Sequence, residues 1–145
     1  MDFFLDYGDR YLGKQTVLAK DTPAFIANRV GIFSSAFIFN LTEQMGLRLE
    51  EVDRITSGPI GWPKSGTYRL GDLVGLDTAM KVIQGVQQNC PDDAVMKGFA
   101  IPKFVQHLMD NETYGDKSGK GFYKKTNDRD ENGKRIIQVL NTETL

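Results

Sequence analysis

Apolar residues along this chain recur mostly at steps of three and four, the spacing that gathers them on one face of an α-helix. Phe3, Phe4, Tyr7 and Tyr11 open the pattern, and Gly13, a good C-terminal cap residue, closes it, which predicts a short helix. Gln15 to Ala19 follows as a brief β-prone run. Asp21-Thr22-Pro23 then supplies a cap residue and a proline suited to a first helical turn, so a long helix is expected from there to Gly46. Phe25, Ile26, Val30, Phe33, Phe37, Ile38, Leu41 and Met45 mark its apolar face, and with Ile32, Ala36 and Phe39 its middle is apolar nearly all round. A helix of that kind is covered on several sides, by other helices or by another subunit.

Leu49, Val52 and Ile55 predict a second short helix over Leu49 to Ile55. Gly58, Pro59, Gly61, Pro63 and Gly66 exclude regular structure around Trp62 and mark an ordered loop. From Leu70 the helical period returns through Leu73, Val74, Met80, Ile83 and Val86, and it ends at Asn89-Cys90-Pro91. Gly71 and Gly75 within that stretch would let a neighbouring backbone come close. Ile101-Pro102 opens a further helix with Phe104, Val105, Leu108 and Met109 inward. After Gly119 and Gly121 the chain changes character: eight of the twelve residues from Lys124 to Arg135 are charged. Asn132-Gly133 is a hairpin turn signal that would pair Phe122-Tyr123-Lys124 with Arg135 to Leu140. The fold class expected is mainly α, with a C-terminal β-hairpin.

Composition narrows the function classes. At 145 residues, 40% hydrophobic and 26% charged, the chain reads as one globular unit with a sizeable core, which excludes disorder, collagen and coiled coil. Its 18 Lys and Arg against 19 Asp and Glu leave a net charge of -1, too little positive field to hold nucleic acid or an anionic membrane. No apolar run reaches the roughly 18 to 20 residues of a spanning helix, and Met1 to Asp6 lacks the build of a signal peptide, so a cytoplasmic protein is expected. A single cysteine and a single histidine exclude an internal disulfide and a Cys/His zinc cluster, and no metal site is expected.

Few residues carry candidate chemistry. No G-x-G-x-x-G follows a strand. Gly115-Asp116-Lys117-Ser118-Gly119-Lys120-Gly121 has three residues between its first glycines, where a nucleotide-binding P-loop needs four, and Gly121 stands where a Ser or Thr belongs. It reads as a turn before a strand, with an auxiliary phosphate contact through Lys117 or Lys120 as the alternative. His107 sits mid-helix without an acidic residue one turn before it and reads as surface or half-buried. Cys90 lacks flanking positive charge and reads as inert, and the scattered acidic residues read as solvated. Asn28 differs, because an amide among Phe25, Ile26, Ala27 and Val30 needs hydrogen-bond partners, which neighbouring loops or a ligand carbonyl or hydroxyl would supply.

Three blocks carry a family resemblance. Asp21-Thr22-Pro23-Ala24-Phe25-Ile26-Ala27-Asn28-Arg29 closely resembles the D-x-P-G-F-x-x-N-R signature of 3-hydroxyacyl-CoA dehydrogenases, where the dinucleotide-binding domain passes into the helical C-terminal domain. Ile60 to Asp77 is similar to the family's G-x-P-x-G-x-x-x-L-x-D-x-x-G-L-D stretch, and Lys117-Ser118-Gly119-Lys120-Gly121-Phe122-Tyr123 to its K-x-G-x-G-F-Y end. The resemblance implies a helical bundle of the 6-phosphogluconate dehydrogenase C-terminal-domain-like type over residues 21–124. Residues 1–20 would be the last helix and strand of a Rossmann domain, and residues 125–145 a charged hairpin arm or linker.

In the family, NAD and the catalytic histidine with its glutamate partner belong to the Rossmann domain, upstream of the signature. The resemblance therefore implies the substrate-side, dimer-forming half of an enzyme that oxidises L-3-hydroxyacyl-CoA to 3-ketoacyl-CoA, inactive alone and with NAD bound outside this chain. Its partners would be an acyl-CoA substrate, the Rossmann domain of the same parent chain and a second copy. Asn28 matches the signature asparagine that hydrogen-bonds near the reacting oxygen, and Arg29 matches as a structural ion-pair partner. Lys117 and Lys120 remain weaker substrate contacts. Ala24 replaces the usual glycine, a change a helix interior would tolerate, and Phe33 and Phe37 stand where many members have proline and glutamate. The charged arm is similar to bacterial chains in which a hydratase domain is fused to the dehydrogenase. The alternative is a standalone helical interaction or acyl-CoA-binding module.

Overall fold

The computed structural model describes residues 1–94 and 96–145. Among the described residues six α-helices run in order: α1 (Asp2–Asp6, continued by a wider π turn over Tyr7–Tyr11), α2 (Ala27–Met45), α3 (Leu49–Ile55), α4 (Gly66–Val74), α5 (Leu76–Asn89) and α6 (Lys103–Asp110). Two antiparallel strands follow, β1 (Tyr123–Arg129) and β2 (Arg135–Val139). Among the described residues no helix is long and apolar enough to cross a membrane.

Four aromatic rings from four distant segments make the centre of the core: Phe39 of α2, Tyr68 of α4, Phe104 of α6 and Phe122 at the mouth of β1. All are at most 3% exposed. Their centroids lie between 4.8 Å (Tyr68 to Phe122) and 6.4 Å (Phe39 to Phe104), mostly edge to face, the arrangement the ring quadrupole favours. The Tyr68 hydroxyl would be orphaned in such a core, and it donates instead to Thr42 Oγ1 of α2 at 2.6 Å. Burial pushes the Tyr68 phenol well above its ordinary range.

The hairpin forms where the Asn132-Gly133 signal put it, with Tyr123 opposite Val139 and Lys125 opposite Ile137. It is docked rather than free: Val139 and Leu140 pack on the core, and the Leu140 N–H donates to the Phe122 carbonyl at 2.9 Å. Leu49–Ile55, the stop at Gly46 and the inward face of α6 also follow the sequence pattern.

Four expectations are corrected. Residues 15–19 are exposed and form no strand, because a β-prone run needs a neighbouring ladder and the chain supplies none there. The long helix starts at Ala27, not at Pro23: Ala24 and Phe25 are left-handed, with φ of 63° and 47°, so this stretch is a turn. Ala24 thus occupies a left-handed turn position that suits glycine, and it is not inside a helix at all. The helix expected from Leu70 starts at Gly66 and breaks at Gly75, whose φ of 95° ends α4 and turns the chain into α5. What comes close at Gly71 is the Phe122 ring, 3.2 Å from where a Cβ would stand, rather than a backbone.

Candidate functional site

The signature residue Asn28 lies in the first turn of α2, exposed, beside the left-handed turn at Ala24 and Phe25. A cavity of about 360 Å³ opens there, between that turn and α5. Val82, Gly85, Val86 and Asn89 supply its far wall. These positions are spaced i, i+3, i+4 and i+7, so they share one face of α5. Val86 is buried, whereas Asn89 is exposed and donates through its amide nitrogen to the Gly85 carbonyl at 2.8 Å. The Asn28 amide has no hydrogen-bond partner among the described residues; the neighbouring loops do not satisfy it.

The lining sets what this cavity can do. Phe25, Val82 and Val86 offer apolar surface, while Asn28 and Asn89 each keep a carbonyl acceptor and at least one N–H for a ligand. No ionisable side chain lines it. Such a site can orient a carbonyl or hydroxyl and shield a hydrocarbon, but it cannot take up a proton.

The structure does not bring Lys117 or Lys120 to Asn28. The Lys117 ammonium pairs with Asp77 in the first turn of α5 and lies 5.7 Å above the Tyr114 ring. The hydrogen bond from Lys117 holds Asp77 below the ordinary carboxylate range. Lys117 therefore ties the Gly115–Gly121 turn to α5. Lys120 is exposed on a separate groove that it shares with His107, which is half-buried on α6 as expected.

Arg29 acts as the expected ion-pair partner. Its guanidinium pairs with Asp93 and donates to Cys90 Sγ at 3.2 Å, tying the start of α2 to the end of α5. Cys90 therefore has the positive neighbour that its flanking sequence lacks, delivered from 61 positions away. Among the described residues no group of His, Cys, Asp and Glu is placed to hold a metal. Nor do the residues present fit a dinucleotide: that needs a glycine-rich turn from strand to helix, and the Asn132-Gly133 turn leads from one antiparallel strand to another.

Two carboxylates read as solvated are buried clamps instead. α4 begins with N–H groups that have no acceptor in their own helix, and Asp53 of α3, with Thr56 just after that helix, supplies acceptors for three of them. Tyr68 and Arg69 donate to Asp53 at 2.6 and 3.0 Å, and Thr67 donates to Thr56 Oγ1 at 3.2 Å. The Tyr123 hydroxyl also donates to Asp53, at 2.7 Å. Burial first, then this carboxylate, pushes the Tyr123 phenol far above its ordinary range. Asp72, 1% exposed, accepts the Phe122 and Tyr123 N–H groups, both at 2.9 Å, and so pins the hairpin to α4. Burial raises its pKa above the ordinary value, while the two N–H bonds and Arg69 pull it back. No spacing signal distinguishes Asp53 in the sequence; Asp72 lies in the second family block.

Known proteins are similar to this chain in sequence and fold. Residues 25–125 match the family model for the 3-hydroxyacyl-CoA dehydrogenase C-terminal domain. A Bacillus subtilis protein named "Probable 3-hydroxyacyl-CoA dehydrogenase" is 41% identical over 86% of this chain, and a Psychrobacter cryohalolentis fatty acid oxidation complex subunit alpha is 32% identical over 92%. The chain spans only 16% and 18% of those two proteins. The crystal structure of Mycobacterium tuberculosis FadB2 superposes with a TM-score of 0.67 at 25% identity, covering 85% of this chain and 41% of that one. A 3-hydroxybutyryl-CoA dehydrogenase from Escherichia coli gives 0.64 at 29%, over 75% of this chain and 22% of that one. With the family model spanning most of the chain and both carboxylate clamps lying inside it, this chain belongs to the family of 3-hydroxyacyl-CoA dehydrogenase C-terminal domains.

Proposed function

We propose that this chain is the substrate-side and dimerisation domain of an NAD-dependent L-3-hydroxyacyl-CoA dehydrogenase, inactive on its own. One observation carries the reading: the signature Asn28 presents an unpartnered amide on an apolar cavity that no ionisable group lines. Oxidation of a hydroxyl needs a base to take its proton while hydride leaves for the cofactor, and NAD, bound outside this chain, supplies that hydride acceptor. The part left to these residues is orientation. The Asn28 N–H donates to the substrate's reacting oxygen, and Phe25, Val82 and Val86 exclude water from the carbons beside it. Lys117, held by Asp77, and Lys120, on a different groove, keep at most a peripheral contact with the substrate.

Two exposed surfaces support the rest of the reading. Phe3, Tyr7 and Tyr11 stack in a row at 5.8 and 5.4 Å on α1 and its π turn, yet none joins the core. Residues 1–20 fit the end of a Rossmann domain whose other elements would cover those rings. On α2, Val30, Phe33 and Phe37, with Ile26 just before the helix, form a solvent-facing apolar stripe suited to a second copy.

Calorimetric titration with acetoacetyl-CoA tests the proposal. The chain is expected to bind it, Asn28→Ala to weaken binding about 10-fold through loss of a hydrogen bond, and neither to oxidise NADH. Equal affinity in the variant, or turnover by the isolated chain, would overturn the reading.

A further inference from the structure

The cavity beside Asn28 has a far wall on α5 whose composition is odd for a helix. Gly85 sits mid-helix, where glycine is a poor choice, and among the described residues nothing demands it: a Cβ added there meets none of their atoms within 4 Å. Its φ is not in the left-handed range either. The space a side chain would take is open and belongs to the cavity. Val82 and Val86 flank it with apolar surface, and Asn89, its amide anchored on the Gly85 carbonyl, stands one turn further along. At about 360 Å³ the cavity lies at the small end of ligand sites, enough for a short stretch of chain but not for a whole coenzyme.

We propose that the α5 face of Val82, Gly85, Val86 and Asn89 is the wall against which the substrate's acyl chain lies, with Gly85 setting how much chain is admitted and Asn89 facing the acyl oxygens opposite Asn28. This rests on the reading of Asn28 as the substrate contact. The occupant is fixed by chemistry: a ligand with oxygens at one end and hydrocarbon at the other, carrying no charge where it meets a lining without ions. An acyl thioester meets all three conditions.

The test uses the isotope-labelled chain titrated separately with acetoacetyl-CoA and 3-oxooctanoyl-CoA, which share the 3-oxo group and differ only in chain length, reading the Asn28 and Asn89 side-chain amide signals and the Gly85 backbone signal. All three are expected to shift, Gly85 more with the longer chain. Gly85→Leu fills the space, so the ratio of 3-oxooctanoyl-CoA to acetoacetyl-CoA affinity should fall by about 10-fold or more, the scale of a methylene misfit in an apolar pocket. Gly85→Ala, which suits a helix better than glycine, should move the ratio the same way by less. If Asn28 shifts while Gly85 and Asn89 stay silent, or if neither variant changes the ratio, the α5 wall is wrong and the Asn28 reading stands. Silence at Asn28 overturns both.

Discussion

Replacing Gly66 by alanine puts a methyl group where α3 and α4 leave no room for one. Gly66 has a φ of +72°, and an added Cβ would stand 2.6 Å from both the Asp53 Cα and the Asp53 carbonyl oxygen. Both are backbone atoms, so no side chain can swing aside and the two helices must part. The left-handed conformation costs an L-residue about 1–2 kcal/mol. Forcing apart a packed contact adds about 1–3 kcal/mol, for a total of about 2–5 kcal/mol. Gly61 isolates the first term, because its φ is +77° but nothing lies within 4 Å of its Cβ position. Gly61→Ala should therefore lose only about 1–2 kcal/mol. In urea, followed by the helical circular dichroism signal, a loss of about 3 kcal/mol lowers the midpoint by roughly 1–3 M at the slopes usual for small proteins. If Gly66→Ala unfolds within about 0.5 kcal/mol of Gly61→Ala, well under the cost of overpacking a core, the tight seat of α4 on Asp53 is not what demands the glycine.

Three further outcomes follow from the same geometry. Ala24→Gly relieves a left-handed alanine at the cost of glycine's extra backbone entropy, for a net gain of about 0.5–1 kcal/mol; a lowered Tm would contradict the turn at this position. Asp116 is held below the ordinary carboxylate range, first by the two hydrogen bonds from Arg69, both 2.7 Å. A lowered folded value favours the ionised form, so this contribution is present above the ordinary range and lost as pH falls through the folded value. Arg69→Ala should therefore cost at most about 1 kcal/mol near neutral pH, Asp116 being partly exposed, and progressively less in acid; a stability gap that persists unchanged at low pH would contradict the pairing. Light scattering should find the chain self-associated at micromolar concentration and the Phe33→Ser, Phe37→Ser double variant monomeric; equal masses would move the interface off the α2 stripe.

Much of the fold was legible from hydrophobic periodicity and punctuation. Leu49 to Ile55, the stop at Gly46 and the hairpin at Asn132-Gly133 were set by local rules, and the structure keeps them. Where local signals were ambiguous, tertiary contacts decided. Asp21-Thr22-Pro23 is a good helix opening, but the signature's usual glycine at position 24 marks a left-handed residue, and that glycine was the readable clue to the turn. Hydrophobic periodicity continues smoothly across Gly75 and suggests a packing glycine, whereas its positive φ breaks the helix. Asp53, Asp72 and the pairing of Arg29 with Cys90 depend on segments far apart in sequence, so no window could find them. Asn28 was singled out as an amide in apolar company, and the family blocks turned it towards a ligand. The proposed α5 wall has no sequence signal: Asn89-Cys90-Pro91 marks only a helix end, and no motif points to Gly85.

The central claim is that these residues orient a substrate and leave proton and hydride transfer to groups outside the chain. Its most direct measurement is one preparation of the chain given acetoacetyl-CoA and NADH, with binding followed through the Asn28 side-chain amide signal and NADH followed by absorbance. The account predicts a saturable shift at Asn28 with no loss of NADH. A shift accompanied by NADH oxidation, or NADH oxidation without one, would contradict it.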